Sequence, residues 1–496
     1  MFESAELGHQ TAEDVYEREI PALRAALLDV QYELAQAKKM PVILLISGVD
    51  GAGKGETVNL LNEWMDPRQI STFTFDKLSD EETQRPFMWR FWRALPPKGE
   101  IGIFFGSWYS APIKQRCYGK IKKNALDNAL EEIVRFERML TDEGALLVKF
   151  WFHLSKEKQK ERIRILQKNP KTCWRVSEQD LHHLKRYDKF RNIASHTLNA
   201  TSTATAPWIV VEGFDANYRN LTTGKYILEA LRQKLANDRK KPRKSAAPPL
   251  LKPIDNLQIL ARLDLALSLA EDRYETELEK YQRKLNLLTR HPCFQKISII
   301  LAFEGVDASG KGGSIRRITQ AVDARIYDVI PIAAPNEEER IQPYLWRFWR
   351  HIPGKGRLTI FDRSWYGRVL VERVEGFCAE QDWMRAYAEI NDFEVQLTSH
   401  DSLLLKFWLH ISPDEQLRRF EERQRIAYKR FKITEDDWRN RDKWDAYQTA
   451  ACDMIERTNS SEAPWILVEA NDKYYTRIKI LRSLCRHLEQ RLEEKV

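Results

Sequence analysis

The chain has 496 residues, more than one hydrophobic core usually organises, so two domains are expected. Its 43% hydrophobic and 31% charged residues read as globular, no uninterrupted apolar run reaches membrane-spanning length, and Met1-Phe-Glu-Ser-Ala-Glu lacks the basic-then-apolar order of a signal peptide, so a cytoplasmic protein with no membrane attachment is expected. The balance of 80 basic against 72 acidic residues, a net charge of +8, makes polyanions candidate partners without separating nucleic acid from other phosphates.

In chain order, the first strong signal is an apolar strand, Val42 to Ile46, feeding Gly48-Val-Asp-Gly-Ala-Gly-Lys54. This is the glycine, four residues, Gly-Lys spacing of a phosphate-binding loop. Then come Trp89-Arg-Phe-Trp-Arg93, Ser107-Trp-Tyr109, Lys149-Phe-Trp151 and Pro207-Trp-Ile209. Every one of these recurs 257 residues later: Gly305 to Lys311, Trp346 to Arg350, Ser364 to Tyr366, Lys406 to Trp408 and Pro464 to Ile466. A constant offset means no net insertion, so the chain reads as one domain duplicated in tandem. The expected boundaries are a first domain at 1–236, a basic Pro-rich linker at 237–255 and a second domain at 256–496.

Within the second half the pattern predicts a helix at 256–289, the loop strand at 297–303 and its helix, then a short strand at 329–332 and a helix carrying Trp346. A strand at 358–361, a helix at 381–398, a strand at 403–411, two basic amphipathic helices over 413–457, a strand at 465–469 and a closing helix complete it. This alternation predicts an α/β fold: a parallel sheet with helices on both faces and ligands at the carboxyl ends of its strands. The six cysteines show no paired spacing and read as reduced packing residues.

The chemistry concentrates in the second copy. In Gly305-Val-Asp-Ala-Ser-Gly-Lys-Gly-Gly-Ser314, Gly305, Gly310, Gly312 and Gly313 let backbone N–H groups turn around phosphate oxygens, and Lys311 neutralises the outer phosphate. Gly312 replaces the hydroxyl residue that usually follows the lysine, so Ser314 supplies the hydroxyl and Asp307 becomes a candidate metal ligand. The strand Leu358 to Phe361 ends in Asp362 and Arg363, an acid that completes a metal site with Asp307 and a base that clamps the phosphoryl group. The equivalent positions of the first copy are Phe105 and Gly106, and Glu56 replaces Gly313 at its helix start, where negative charge opposes phosphate. The first half is therefore expected to be catalytically inactive.

The stretch Arg418 to Lys432, with Arg419, Arg423, Lys429 and Lys432, is too basic for i,i+4 pairing to explain and reads as a lid. Arg368 and Arg373 follow the Asp-Arg-Ser motif as candidate substrate-channel residues. Trp346 to Arg350 persists in the inactive half and reads as aromatic packing.

Together, the second glycine loop, Phe361-Asp-Arg-Ser-Trp-Tyr366, the basic lid and Ala463-Pro-Trp-Ile466 resemble the polyphosphate kinase 2 family, and the degenerate first copy resembles its two-domain class. The resemblance implies a P-loop kinase fold similar to thymidylate kinase, with a helical lid. It implies phosphoryl transfer from inorganic polyphosphate to AMP, giving ADP, with Mg2+ or Mn2+ held by Asp307 and Asp362. Lys311 and Arg363 would then contact the phosphoryl group and Arg423 would reach it from the lid. No nucleic-acid partner is expected, and a homodimer or higher homo-oligomer stays open. The rival readings are an ATP-dependent nucleoside-monophosphate kinase and a non-catalytic polyanion-binding protein.

Overall fold

The structure, a computed structural model, describes residues 2–239, 259–427 and 433–495. The expected linker lies almost wholly outside the described residues, as do Lys429 and Lys432. The chain divides into two compact units: Met1–Leu78, Arg90–Arg243 and Pro335–Arg347 form one, and Ser79–Trp89, Lys244–Ala334 and Phe348–Val496 form the other. Each unit thus includes a short segment from the other half of the sequence. Inside the first unit Lys98 N donates to Ile341 O at 2.9 Å and Gln342 Nε2 to Leu95 O at 3.3 Å. Inside the second, Arg85 Nε donates to Ile352 O at 3.0 Å.

Each unit contains a five-stranded, all-parallel sheet. In the first, β1 (Val42–Gly48), β2 (Ile70–Thr74), β3 (Ile101–Phe105), β4 (Leu146–His153) and β5 (Trp208–Glu212) lie in the order β2-β3-β1-β4-β5. In the second, β6 (Ser298–Gly305), β7 (Tyr327–Pro331), β8 (Leu358–Asp362), β9 (Ser402–His410) and β10 (Trp465–Glu469) repeat it as β7-β8-β6-β9-β10. The central strand is apolar because helices cover both of its faces. Ile299, Leu301 and Phe303 of β6 are fully buried in one cluster with Ile315, Ile318, Leu481, Leu484 and Leu488 from the flanking helices. Burying each such side chain contributes about 1.5–3 kcal/mol. The strand order runs one way from β1 to β3 and β2 and the other way to β4 and β5, and likewise around β6, so the loop leaving each central strand opens at the switch point where α/β sheets hold ligands.

Charge is buried in the same way twice. Lys406 Nζ lies 2.7 Å from Glu394 and 2.6 Å from Thr458 O, while Trp365 Nε1 and Tyr366 Oη donate to the same carboxylate. In the first unit Lys149, Glu137, Trp108, Tyr109 and Thr201 make the matching set. A lysine and a glutamate this deeply buried persist only because each satisfies the other and the remaining polar atoms have partners. The repeated Ser-Trp-Tyr and Lys-Phe-Trp motifs therefore serve the fold.

Three expectations change. The helix predicted at 256–289 runs only over Glu271–Thr289, preceded by a short turn at Ile259–Arg262. Before it, Asp264 accepts from Ala266 N at 3.1 Å and Asp472 from Leu269 N at 3.3 Å, so side chains satisfy that backbone instead of helical carbonyls. The two basic helices over 413–457 are three: Pro413–Arg425, Glu435–Asp442 and Trp444–Thr458. Lys443, at φ −102° and ψ 25°, separates the last two. Of the cysteines, Cys173 is exposed and so is not a packing residue. Among the described residues no helix is long and apolar enough to cross a membrane.

Candidate active site

The glycine loop of the second unit follows β6 and leads into the helix Lys311–Thr319. Gly305, at φ +143°, is required there because a Cβ would sit 2.4 Å from Leu409 O. Gly310, at φ +106°, caps the helix start and turns its free N–H groups into the loop. A Cβ on Gly312 would meet nothing within 4 Å, which leaves open space above the first helical turn. Gly313 faces Arg477, whose guanidinium nitrogen would lie 3.6 Å from an added Cβ.

Lys311 curls back over the loop, its ammonium donating to Gly305 O at 2.7 Å and Val306 O at 3.3 Å. Burial, reinforced by the neighbouring Arg363, lowers its pKa. Ser314 is buried and its hydroxyl donates to Gly310 O at 3.3 Å, a bond internal to the helix.

Asp362 and Arg363 reach the loop because β8 pairs with β6 in a register that sets Asp362 beside Phe303. Arg363 N donates to Phe303 O at 3.0 Å, and its guanidinium meets Asp307 Oδ1 at 2.9 Å. The loop aspartate, its arginine and the strand-end carboxylate predicted from sequence are thus brought together. Although burial acts against its charge, the carboxylates of Asp307, Glu304 and Asp362 hold the Arg363 pKa above its ordinary value.

Other groups at this site escape sequence reading. Asn440 Nδ2 donates to Asp307 Oδ2 at 2.8 Å and Gln416 Nε2 to Asp307 O at 3.1 Å, so the loop aspartate is held from three sides. Tyr447 Oη donates to Asn440 Oδ1 at 3.0 Å and fixes the amide orientation. Glu304, 5% exposed, accepts from Ser364 N at 2.7 Å and Ser364 Oγ at 2.8 Å, clamping the turn that carries Arg363. Burial pushes its carboxyl up. Glu304 immediately precedes the glycine motif and is replaced by Ser47 in the first copy, the one signal that could have marked it.

The remaining predicted residues are placed differently. Arg419 is buried and donates to Ala308 O, Ala470 O, Asn471 O and Glu415, so it holds the loop from within. Arg373 pairs with Asp453 at 2.8 Å and donates to Tyr387 Oη, and Arg368 pairs with Glu372 at 2.9 Å. Arg423 lies in the last turn of the helix Pro413–Arg425. Phe348, in the aromatic stretch, packs edge-on against Phe361 and Trp365 as expected of core.

The first unit keeps the scaffold, with other residues at the positions of Asp362, Arg363 and Asn440. Gln159 Nε2 donates to Asp50 O at 3.0 Å and His183, at the place of Asn440, meets Asp50 Oδ2 at 2.6 Å. Burial pushes the Asp50 carboxyl up, but His183 and Lys54 outweigh it and hold it at about 2. Glu56 lies within 3.1 Å of Arg219, 3.3 Å of Arg162 and 3.5 Å of Arg175. An internal carboxylate with three arginines thus occupies the helix start where phosphate would bind.

Comparison with known proteins agrees with this duplication. The family model for polyphosphate kinase 2 matches residues 10–240 and again 268–496. The chain is 55% identical over 98% of its length, and 98% of the relative's, to a polyphosphate:AMP phosphotransferase of Pseudomonas aeruginosa. It is 37% identical over 93% of its length, and 94% of the relative's, to one of Acinetobacter johnsonii. A solved Pseudomonas aeruginosa structure described as a polyphosphate kinase 2 superposes with a TM-score of 0.90 at 52% identity over 100% of both chains. The chain belongs to the polyphosphate kinase 2 family.

Proposed function

We propose that this chain transfers a phosphoryl group from inorganic polyphosphate to AMP, giving ADP, and that its second unit alone carries the reaction. The observation that carries the reading is the Arg363–Asp307 pair at 2.9 Å over the glycine loop, in a chain whose full-length relatives are named polyphosphate:AMP phosphotransferases. In the first unit Asp50 keeps the place of Asp307, but Gly106 replaces Arg363 and Phe105 replaces Asp362.

The donor set suits magnesium or manganese. Asp307 and Asp362 offer hard oxygen ligands, and among the described residues no group of three or more His, Cys, Asp or Glu side chains could form an all-protein cage. Mg2+ commonly takes one or two carboxylates and completes its shell with substrate phosphates and water. When bound it offsets charge on the transferring phosphoryl group.

The residues of the chain do the positioning. The backbone N–H groups from Gly310 to Gly313 cradle the donor phosphates, and Lys311 leaves the loop carbonyls to neutralise one of them. Arg363 swings from Asp307 to the group in flight, where cationic donors stabilise charge spread over equatorial oxygens. Asn440 and Gln416 keep Asp307 oriented throughout. Transfer runs directly and in line from donor to acceptor phosphate, with no phosphoenzyme. Incubation of the full chain with AMP, magnesium and either polyphosphate or ATP tests the donor; ADP from ATP alone contradicts the proposal.

A further inference from the structure

The first unit encloses a cavity of about 350 Å3 against its own glycine loop, lined among others by Asp50, Phe105, Lys114, Tyr118 and Phe190. Small-molecule sites commonly span about 300–1,000 Å3. At three lining positions the cavity presents rings: Phe105, Tyr118 and Phe190 stand where the second unit has Asp362, Glu375 and Tyr447. Two carboxylates have given way to rings and the third position keeps one, so all three offer faces for stacking. The rings are held in place: Arg186 lies 4.8 Å over Tyr118, His182 stacks on Tyr118 at 5.7 Å, and Phe190 stacks on Trp151 at 5.9 Å.

Gln159, a lining residue only 3% exposed, carries an acceptor, Oε1, that is buried without a hydrogen-bond partner. In the second unit Arg441 donates to the equivalent Gln416 Oε1 at 3.2 Å, whereas Leu184 stands at that place in the first. A buried polar atom left open in this way is unfavourable unless something satisfies it.

Charge sets the other end of the ligand. Glu56 and its three arginines fill the helix start, so a phosphate chain running into the loop meets a carboxylate. Of the lining cations Lys54 is held by Asp50 at 3.7 Å, which leaves Lys114, which is exposed, and Arg186 for a single anionic group, beside the lining carboxylates Asp76 and Asp180.

We propose that this cavity binds one nucleoside monophosphate without turning it over, its base among Phe105, Tyr118 and Phe190 and its phosphate at Lys114 and Arg186. Phe105 and Gly106 in place of Asp362 and Arg363 leave the bound phosphate with nothing to react through.

Photolabelling of the full chain with 8-azido-AMP, followed by mass mapping of the peptides, tests this site independently of the reaction. Label is expected on peptides containing Tyr118 or Phe190, protected by AMP, unaffected by Lys311→Ala and weakened at least tenfold by Lys114→Glu. Lys114 is exposed, so its substitution should leave folding intact. Absence of label there, label that Lys114→Glu does not weaken, or label displaced by tripolyphosphate but not by AMP would overturn the proposal.

Discussion

Arg363 and Gly106 occupy the same turn in the two copies, both in the left-handed region, at φ +64° and +82°. For a side chain with a Cβ this backbone costs about 1–2 kcal/mol, a cost glycine avoids. The second unit keeps the strained arginine where its repeat shows that glycine fits. Strain retained in this way marks a side chain that is needed.

Arg363→Gly should therefore separate stability from turnover. The expected result is a thermal midpoint equal to or above that of the unmodified chain, with polyphosphate-dependent ADP formation reduced by about 10²–10³-fold, the scale of losing one charge-stabilising group. Calorimetry alongside an ADP assay checks both halves of the statement.

Glu304 acts through Ser364, so geometry should matter more than charge. Glu304→Gln keeps an acceptor oxygen for both Ser364 bonds and should retain activity within about threefold, while Glu304→Ala should lose about 10–100-fold, as removal of a supporting shell does. Equal damage from the two substitutions would assign the carboxylate a charge role instead.

The buried Lys406–Glu394 pair should behave as a unit. Lys406→Met or Glu394→Leu alone leaves an uncompensated buried charge and should destabilise by about 3–5 kcal/mol, with the double variant less affected than either single one. Denaturant midpoints of the four proteins in the cycle measure it.

His410 makes the second unit acid-sensitive. Burial alone lowers its pKa from 6.5 to about 4, so the unfolded chain takes up this proton at a pH where the folded chain does not. The neutral ring's contribution is complete above pH 6.5 and is lost as pH falls towards 4, an effect of about 3 kcal/mol. His410→Leu should flatten this part of the stability profile.

The duplication, both glycine loops and the parallel sheets were legible because they rest on local signals: apolar strands, glycine spacing and a constant offset. The contrast between Asp362-Arg363 and Phe105-Gly106 was legible for the same reason. Asn440 was not, because it lies 133 residues from Asp307 and the contact depends on how the helices return over the sheet. Glu304 stands directly before the motif, yet its hold on Ser364, 60 residues away, exists only once β6 and β8 are in register. Arg419 was read with the basic lid because a run of charge carries no mark of which member is buried. Its neighbour Arg418 is over half exposed at 57%, whereas Arg419 is 3% exposed.

The most direct test writes the first copy's residues into the second. Full-length Asp362→Phe/Arg363→Gly, assayed for ADP from AMP and long-chain polyphosphate with magnesium, should lose at least 10³-fold in turnover, as expected when charge stabilisation of the transferring group is removed. Glu56→Gly in the first unit should stay within about threefold of the unmodified chain, since exposed or distant changes leave chemistry unmoved. A double variant that keeps its turnover, or a first-unit change that abolishes it, would contradict the assignment of the reaction to the second unit.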